Sequence, residues 1–145
     1  MIREAVLEDI DRLIELGMSF WAGSEYGGII TVSPKALRQT LEQTIESPDS
    51  VWLVAEKDGQ LIGMIGLACT AHPFSGERVA LELAWWVEPE HRSGGVGIKL
   101  LKCSEEWAKR QSAIALMMVA PNEEIERLYV KLGYGLVERT FQKNL

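Results

Sequence analysis

Apolar residues recur along this chain at two spacings, one near 3.6 and one near 2, and the alternation between them lays out helices and strands in turn. Ile2 to Val6 reads as a short strand. Leu7-Glu8-Asp9 starts a helix, with acids where the positive end of the dipole favours them, and Ile10, Leu13, Ile14, Gly17 and Met18 form its inner stripe. Trp21 to Ile30 holds three glycines and no period, so it reads as a loop. Ser33-Pro34 pairs a capping hydroxyl with a proline at the first helical position, and Leu37, Leu41 and Ile45 give the stripe that follows. Ser47-Pro48-Asp49 ends that helix. Val51, Leu53 and Ala55 then alternate with Trp52, Val54 and Glu56 in a strand, Asp58-Gly59 predicts a hairpin turn, and Leu61 to Ala71 returns with Gly63 and Gly66 marking bends. His72 to Arg78 is a polar loop.

The pattern changes at Leu81 to Val87, LELAWWV, a mostly apolar strand with aromatic weight. Pro89 stops it, because proline has no N–H for the ladder. Arg92-Ser93-Gly94-Gly95-Val96-Gly97 follows, with three glycines in four residues. After it Val96, Leu100, Cys103 and Trp107 recur at helical spacing, with Leu101, Ser104 and Ala108 beside them, to an end near Gln111-Ser112. Ala113 to Ala120 is an apolar run expected to be a buried strand, parallel to Leu81–Val87 through a right-handed crossover. Pro121-Asn122 opens a last helix carrying Ile125, Leu128, Tyr129 and Leu132, stopped by Gly133. Tyr134 to Phe141 is expected to be a final strand. The sum is one α/β (mixed α+β) domain over residues 1–145, with a central mixed sheet of six or seven strands flanked by about four helices.

Composition narrows the function classes. The 145 residues are 47% apolar and 25% charged, an ordinary globular balance. The net charge of −6 disfavours nucleic acid, whose phosphates need a basic surface, and is compatible with a cationic amine. No apolar run approaches the roughly 20 residues that span a bilayer, and Met1-Ile2-Arg3-Glu4 lacks a signal-peptide core, so a cytoplasmic protein without a membrane partner is expected. Two cysteines, Cys69 and Cys103, imply no disulfide framework, and two histidines without a Cys-x-x-Cys argue against structural zinc. Cys103 falls on the helix stripe and reads as a small core residue.

A strand ending in a glycine loop that opens a helix is a phosphate-binding arrangement, since free N–H groups and the positive dipole end converge there. Two familiar versions fail. Lys99 lies between Ile98 and Leu100, so no hydroxyl follows it as a Walker A loop requires, and no register of the glycines gives Gly-x-Gly-x-x-Gly.

Arg92-x-x-Gly95-x-Gly97, approached through Val87-Glu88-Pro89-Glu90-His91, resembles the acetyl-CoA pyrophosphate loop of the GNAT superfamily of N-acetyltransferases. Asn122, followed by Leu128-Tyr129-x-Lys131-x-Gly133-Tyr134, resembles the second signature of that family, and Ile2-Arg3-Glu4-Ala5…Asp9 resembles its opening. Arg92 and Asn122 stand 30 residues apart, as the family spaces them, so the resemblance spans essentially the whole chain.

The resemblance implies acetyl-CoA as co-substrate, no metal, and transfer of an acetyl group to a primary amine by direct attack. It implies that the backbone of Arg92, Ser93, Gly94, Gly95, Val96 and Gly97 holds the pyrophosphate. Trp85, Trp86 and Val87 would pair with the pantetheine arm as an added strand would, and Asn122 would bind the cofactor arm. Tyr129 would donate a proton to the departing thiolate; a packed aromatic with a satisfied hydroxyl is its other reading. Many relatives end in two longer strands, so the short end at Leu145 implies an open acceptor site or one completed by a second subunit in a homodimer.

The base is open. Glu82 is the first choice, an acid in an apolar strand whose burial would raise its pKa toward neutral; a solvent-facing strand glutamate is the alternative. Some relatives carry a glutamate five residues before the asparagine, where this chain has Met117. Glu25, Glu77 and His72 are further candidates on loops, and His91 reads as a surface residue. Trp21, Glu25 and Tyr26 suit either acceptor binding or packing of their loop. Trp85 and Trp86 should point to opposite faces of the strand. The rival function is a non-catalytic acyl-CoA-binding or regulatory module on the same fold.

Overall fold

A computed structural model describes residues 1–145. Five strands form one sheet in the order β1 (Ile2–Glu4), β2 (Ser50–Lys57), β3 (Gln60–Ala71), β4 (Arg78–Val87) and β5 (Leu116–Met117). The first four pair antiparallel, and β4 with β5 is parallel. Four α-helices, α1 (Ile10–Ala22), α2 (Pro34–Glu46), α3 (Val96–Arg110) and α4 (Glu123–Lys131), and three short 3₁₀ segments complete the chain. No helix is long and apolar enough to cross a membrane.

Local chemistry accounts for the boundaries. Ser33 Oγ accepts the Ala36 N–H at 3.2 Å and Pro34 begins α2. Asp58 and Gly59 both take positive φ, 52° and 77°, the two-residue turn whose twist suits a hairpin. The sheet is covered on both sides, so β2 is buried without a break from Val51 to Ala55. Val51, Leu53 and Ala55 pack with Leu100 and Trp107 of α3, while Trp52 and Val54 pack with Leu13 and Leu16 of α1 and Leu41 of α2. The expected stripe of α3 is largely the buried one: Leu100, Leu101, Ser104, Trp107 and Ala108.

Three expectations need correction. The sheet has five strands, not six or seven, because Tyr134 to Phe141 forms none. A strand requires ladder bonds to a partner edge, and residues 134–141 make none; Tyr134 donates its hydroxyl to Glu105 Oε1 at 2.8 Å and packs on Tyr129. The run from Ala113 to Ala120 is a strand only at Leu116–Met117, and Ile114, Ala115, Val119 and Ala120 are exposed, since β5 has a neighbour on one side alone. Trp21 belongs to the last turn of α1, and one 3₁₀ turn at Glu25–Gly28 interrupts the expected loop.

The feature that positions the site is a bulge in β4. Leu67 pairs with Glu82 and Gly66 with Ala84, so Leu83 is an extra residue. Ala80 faces the α3 side, Ala84 the α1 side and Val87 the α3 side again, a one-residue change of phase.

Candidate active site

Pairing between β4 and β5 ends at Leu81 and Met117, and the two strands part there. Glu82 is the next residue of β4. Its carboxylate reaches across the opening and accepts the Val119 N–H at 2.9 Å. Tyr129, on the inward face of α4 and 6% exposed, donates its hydroxyl to the Val119 carbonyl at 3.1 Å. Base and acid candidates thus meet at one backbone residue.

Their electrostatics differ in use. Glu82 is half-buried, and desolvation raises its pKa to about 7 against the opposing pull of the Val119 N–H. The Tyr129 phenol is held well above its ordinary range, first by burial, then by the charges of Glu82 and Tyr134. A neutral hydroxyl and a carboxylate that changes charge near neutrality stand side by side.

Beyond the bulge β4 offers a free edge. The Glu88 N–H donates to Ile62 O on β3 at 2.9 Å, so by ladder alternation Trp86 also turns its backbone to β3. Trp85 therefore presents its N–H and C=O, and Val87 its N–H, to the unpaired side, the Val87 carbonyl already accepting Arg92 Nε; of the three residues assigned to the cofactor arm, Trp86 is off that edge. The two indoles do take opposite faces: Trp85 packs on the α3 side and Trp86 on the α1 side.

The glycine loop is a 3₁₀ turn over Pro89–Gly94, then Gly95 at φ 72°, then α3. Gly95 is required by that left-handed conformation. A Cβ at Gly97 would stand 3.2 Å from Trp85 Cζ2, so glycine lets the helix start close over the strand. The Arg92 side chain is spent within the protein: its Nε donates to Val87 O at 2.9 Å and its guanidinium lies 4.5 Å from the Trp86 ring centroid. The first-turn N–H groups of α3 lack acceptors one turn back, and no acid occupies that turn to oppose an anion. The Trp85 indole N–H is buried beside Gly97 and Tyr129 with no acceptor in the protein. Free helix N–H groups, a free strand edge and an orphaned donor together fit a ligand carrying phosphates and amides.

The remaining candidates scatter. Asn122 is exposed and caps α4, its Oδ1 accepting the Ile125 N–H at 3.0 Å. His72 and Glu77 lie on the β3–β4 loop, at the end of β4 away from the glycine loop, where His72 Nδ1 accepts the Phe74 N–H. Glu25 is exposed beside Tyr26, which stacks on Trp21 at 5.6 Å. His91 lies within the 3₁₀ turn, and Cys69 and Cys103 are free thiols. Val119 carried no sequence signal, because it contributes only backbone.

The sequence model of the Acetyltransferase (GNAT) family matches residues 15–134. The chain belongs to this family. It is 27% identical over 134 residues to the putative [ribosomal protein bS18]-alanine N-acetyltransferase of Bacillus subtilis, covering 91% of this chain and 78% of that protein. It is 31% identical over 119 residues to an amino-acid acetyltransferase of Pseudomonas putida, covering 82% of this chain but 24% of that longer protein. A predicted acetyltransferase of Clostridium acetobutylicum, solved with acetyl-CoA, has the same fold at a TM-score of 0.83 and 20% identity over 99% of this chain and 95% of that one. The chain is accordingly an acetyl-CoA-dependent N-acetyltransferase, with acetyl-CoA as co-substrate.

Proposed function

We propose that this acetyltransferase acetylates a primary amine by direct attack within one complex of both substrates, with Glu82 as general base and Tyr129 as general acid. The observation that carries the reading is the meeting of Glu82 and Tyr129 at Val119, where β4 and β5 part. The relatives' named acceptors, an alanine of a ribosomal protein and amino acids, share amine chemistry.

Acetyl-CoA supplies the acetyl thioester. The first turn of α3 and the backbone from Arg92 to Gly97 bind its pyrophosphate, and the edge at Trp85 and Val87 orients the arm, with a backbone N–H of β4 directed at the thioester carbonyl. Asn122, as the cap of α4, sets the angle of the helix that carries Tyr129 and borders the arm. Glu82 takes the proton of the arriving ammonium; a carboxyl poised near neutrality is suited to do so. Tyr129 holds its proton at Oη for the sulfur. Its phenol is a weaker acid than a thiol, so hydrogen bonding to the developing negative charge comes first, and the proton released by the amine completes the balance. The acceptor enters from the α1 side, past Trp21 and Tyr26. Two free cysteines suit a reducing cytoplasm, and a second subunit completing the exposed β5 edge is the form in which the acceptor wall would close.

Isothermal titration with acetyl-CoA, using ATP as control, followed by an amine screen for released thiol, tests this. Saturable binding with turnover that falls about 10²- to 10⁴-fold in Tyr129→Phe supports it. Binding without turnover of any amine would leave the non-catalytic module, and no binding by folded protein would overturn the reading altogether.

A further inference from the structure

Trp86 has contacts that the chemistry of acetyl transfer does not use. Its indole N–H donates to Glu88 Oε2 at 3.3 Å. Glu88 Oε1 in turn accepts Arg12 Nη2 of α1 at 2.9 Å, and Arg12 Nε donates to Leu61 O at 3.1 Å. One face of the ring carries the Arg92 guanidinium from the glycine loop, 4.5 Å from the centroid. The far edge meets the end of α1: a Cβ at Gly23 would stand 3.3 Å from Trp86 Cζ3 and 3.5 Å from Cη2. Gly23 leads directly into Ser24, whose Oγ accepts the Tyr26 N–H and starts the turn that holds the Trp21–Tyr26 stack.

One indole therefore touches both ligand-facing segments. The glycine loop reaches it through Arg92, and the α1–α2 connection reaches it through Gly23. No residue of the loop from Arg92 to Gly97 shares a backbone hydrogen bond with Gly23–Ile30. The Arg92 guanidinium is held by Val87 O and by the ring together, so a ligand that fixes the loop also bears on the guanidinium. That bears in turn on the ring plane, and the ring plane sets the space left for the end of α1.

We propose that Trp86 is a positioning residue that couples the cofactor loop to the α1–α2 connection, so that a ligand held by Arg92–Gly97 orders Gly23–Ile30 for the acceptor. This rests on the acceptor entering from the α1 side. The coupling has a physical element, a ring clamped between two segments, and it is reciprocal: an acceptor ordering Gly23–Ile30 tightens cofactor binding by the same factor. The indole is used for both its face and its N–H. Phenylalanine would keep the cation–π contact and lose the link to Glu88, and leucine would lose both.

Amide hydrogen exchange of the full chain, with and without saturating acetyl-CoA, is the test. In the wild type, acetyl-CoA should slow exchange at Arg92–Lys99 and also at Gly23–Ile30. In Trp86→Leu, at ligand raised to saturation, the protection at Arg92–Lys99 should remain and that at Gly23–Ile30 should vanish, with affinity about two- to fivefold weaker. Trp86→Phe should keep most of both. If Trp86→Leu does not fold, Arg92→Met cuts the same link from the other side with the indole left on Gly23, and the same selective loss is expected. Protection of Gly23–Ile30 that survives either substitution, or that is absent from a wild type protected at Arg92–Lys99, overturns the proposal. A wild type protected nowhere overturns the functional reading instead.

Discussion

The Glu82 carboxylate accepts the Val119 N–H, and the Tyr129 hydroxyl donates to the Val119 carbonyl, so the two groups are aimed by one backbone residue. Either bond alone is an ordinary way to satisfy a buried polar atom. Together they place a carboxyl that titrates near neutrality next to a phenol that does not.

The rate should follow the ionisation of Glu82. Its carboxyl pKa is about 7, so kcat/KM is expected to rise about tenfold per pH unit up to neutrality and level off above it. Glu82→Gln preserves an acceptor for the Val119 N–H but cannot take a proton. It should lower kcat by about 10²- to 10⁴-fold and abolish that acid limb while acetyl-CoA binding by titration stays intact. A variant that keeps the wild-type pH profile would show that another group is the base.

The same shift makes Glu82 a cost to the fold. An acid with a pKa near 4.5 when unfolded and about 7 when folded binds more protons in the folded state between those values. Stability from this group is therefore greatest below about pH 4.5, falls as pH rises to about 7, and is flat above. The full shift corresponds to about 3 kcal/mol as an upper bound. Glu82→Gln should be about 1–3 kcal/mol more stable than wild type at pH 8.5 and close to it at pH 4.5, read by urea unfolding. Equal stability changes at both pH values would mean that the carboxyl is not desolvated. A residue that slows the reaction when replaced but stabilises the protein is what a functional site in tension with its fold produces.

Much of the frame was legible because its signals are local. Ser33-Pro34, Asp58-Gly59, Pro89 and Gly133 act through their own φ, hydroxyl or missing N–H, and each marks a boundary in the structure. Strand partnership is not local. Nothing in Ala113–Ala120 says that only Leu116 and Met117 will pair, and nothing in Tyr134–Phe141 says that Tyr134 will be drawn to Glu105. The site divides the same way. An acid in an apolar strand singled out Glu82, and a motif singled out Tyr129. The extra residue at Leu83 depends on which residue of β3 lies opposite, and Val119 contributes peptide groups that every residue has.

Asn122 separates two roles that one side chain can fill. As the cap of α4 it satisfies the Ile125 N–H, and its loss to alanine should cost about 1 kcal/mol. Asp or Ser in its place keeps a capping oxygen but removes the amide donor. Asn122→Asp should hold the melting temperature of the free protein near wild type, with acetyl-CoA binding weakened severalfold if the amide also serves the cofactor. Unchanged affinity in Asn122→Asp would leave capping as its whole contribution.

Gly66 tests how tightly the sheet beneath the site is packed. It lies directly opposite Trp52 in the β2–β3 register, at the point where β3 shifts its pairing with β4. A Cβ there would stand 2.7 Å from Trp52 Cη2 and Cζ3, closer than real Cβ contacts come. The ring cannot easily retreat, being 4% exposed and tied through its N–H to Thr44 Oγ1 at 2.8 Å. Overpacking of this kind costs about 1–3 kcal/mol, against which alanine gains about 0.4–1 kcal/mol by restricting the unfolded chain. Gly66→Ala is therefore expected to destabilise by about 1–2 kcal/mol. Trp52→Phe alone should also destabilise, by the lost hydrogen bond and the space left behind. The double variant should be more stable than the two losses added together, since the smaller ring makes room for the methyl, with a coupling of at least about 0.5 kcal/mol in urea unfolding. Additive losses, or a stabilising Gly66→Ala, would show that the ring moves freely and that the glycine is there for the bend in β3 rather than for Trp52.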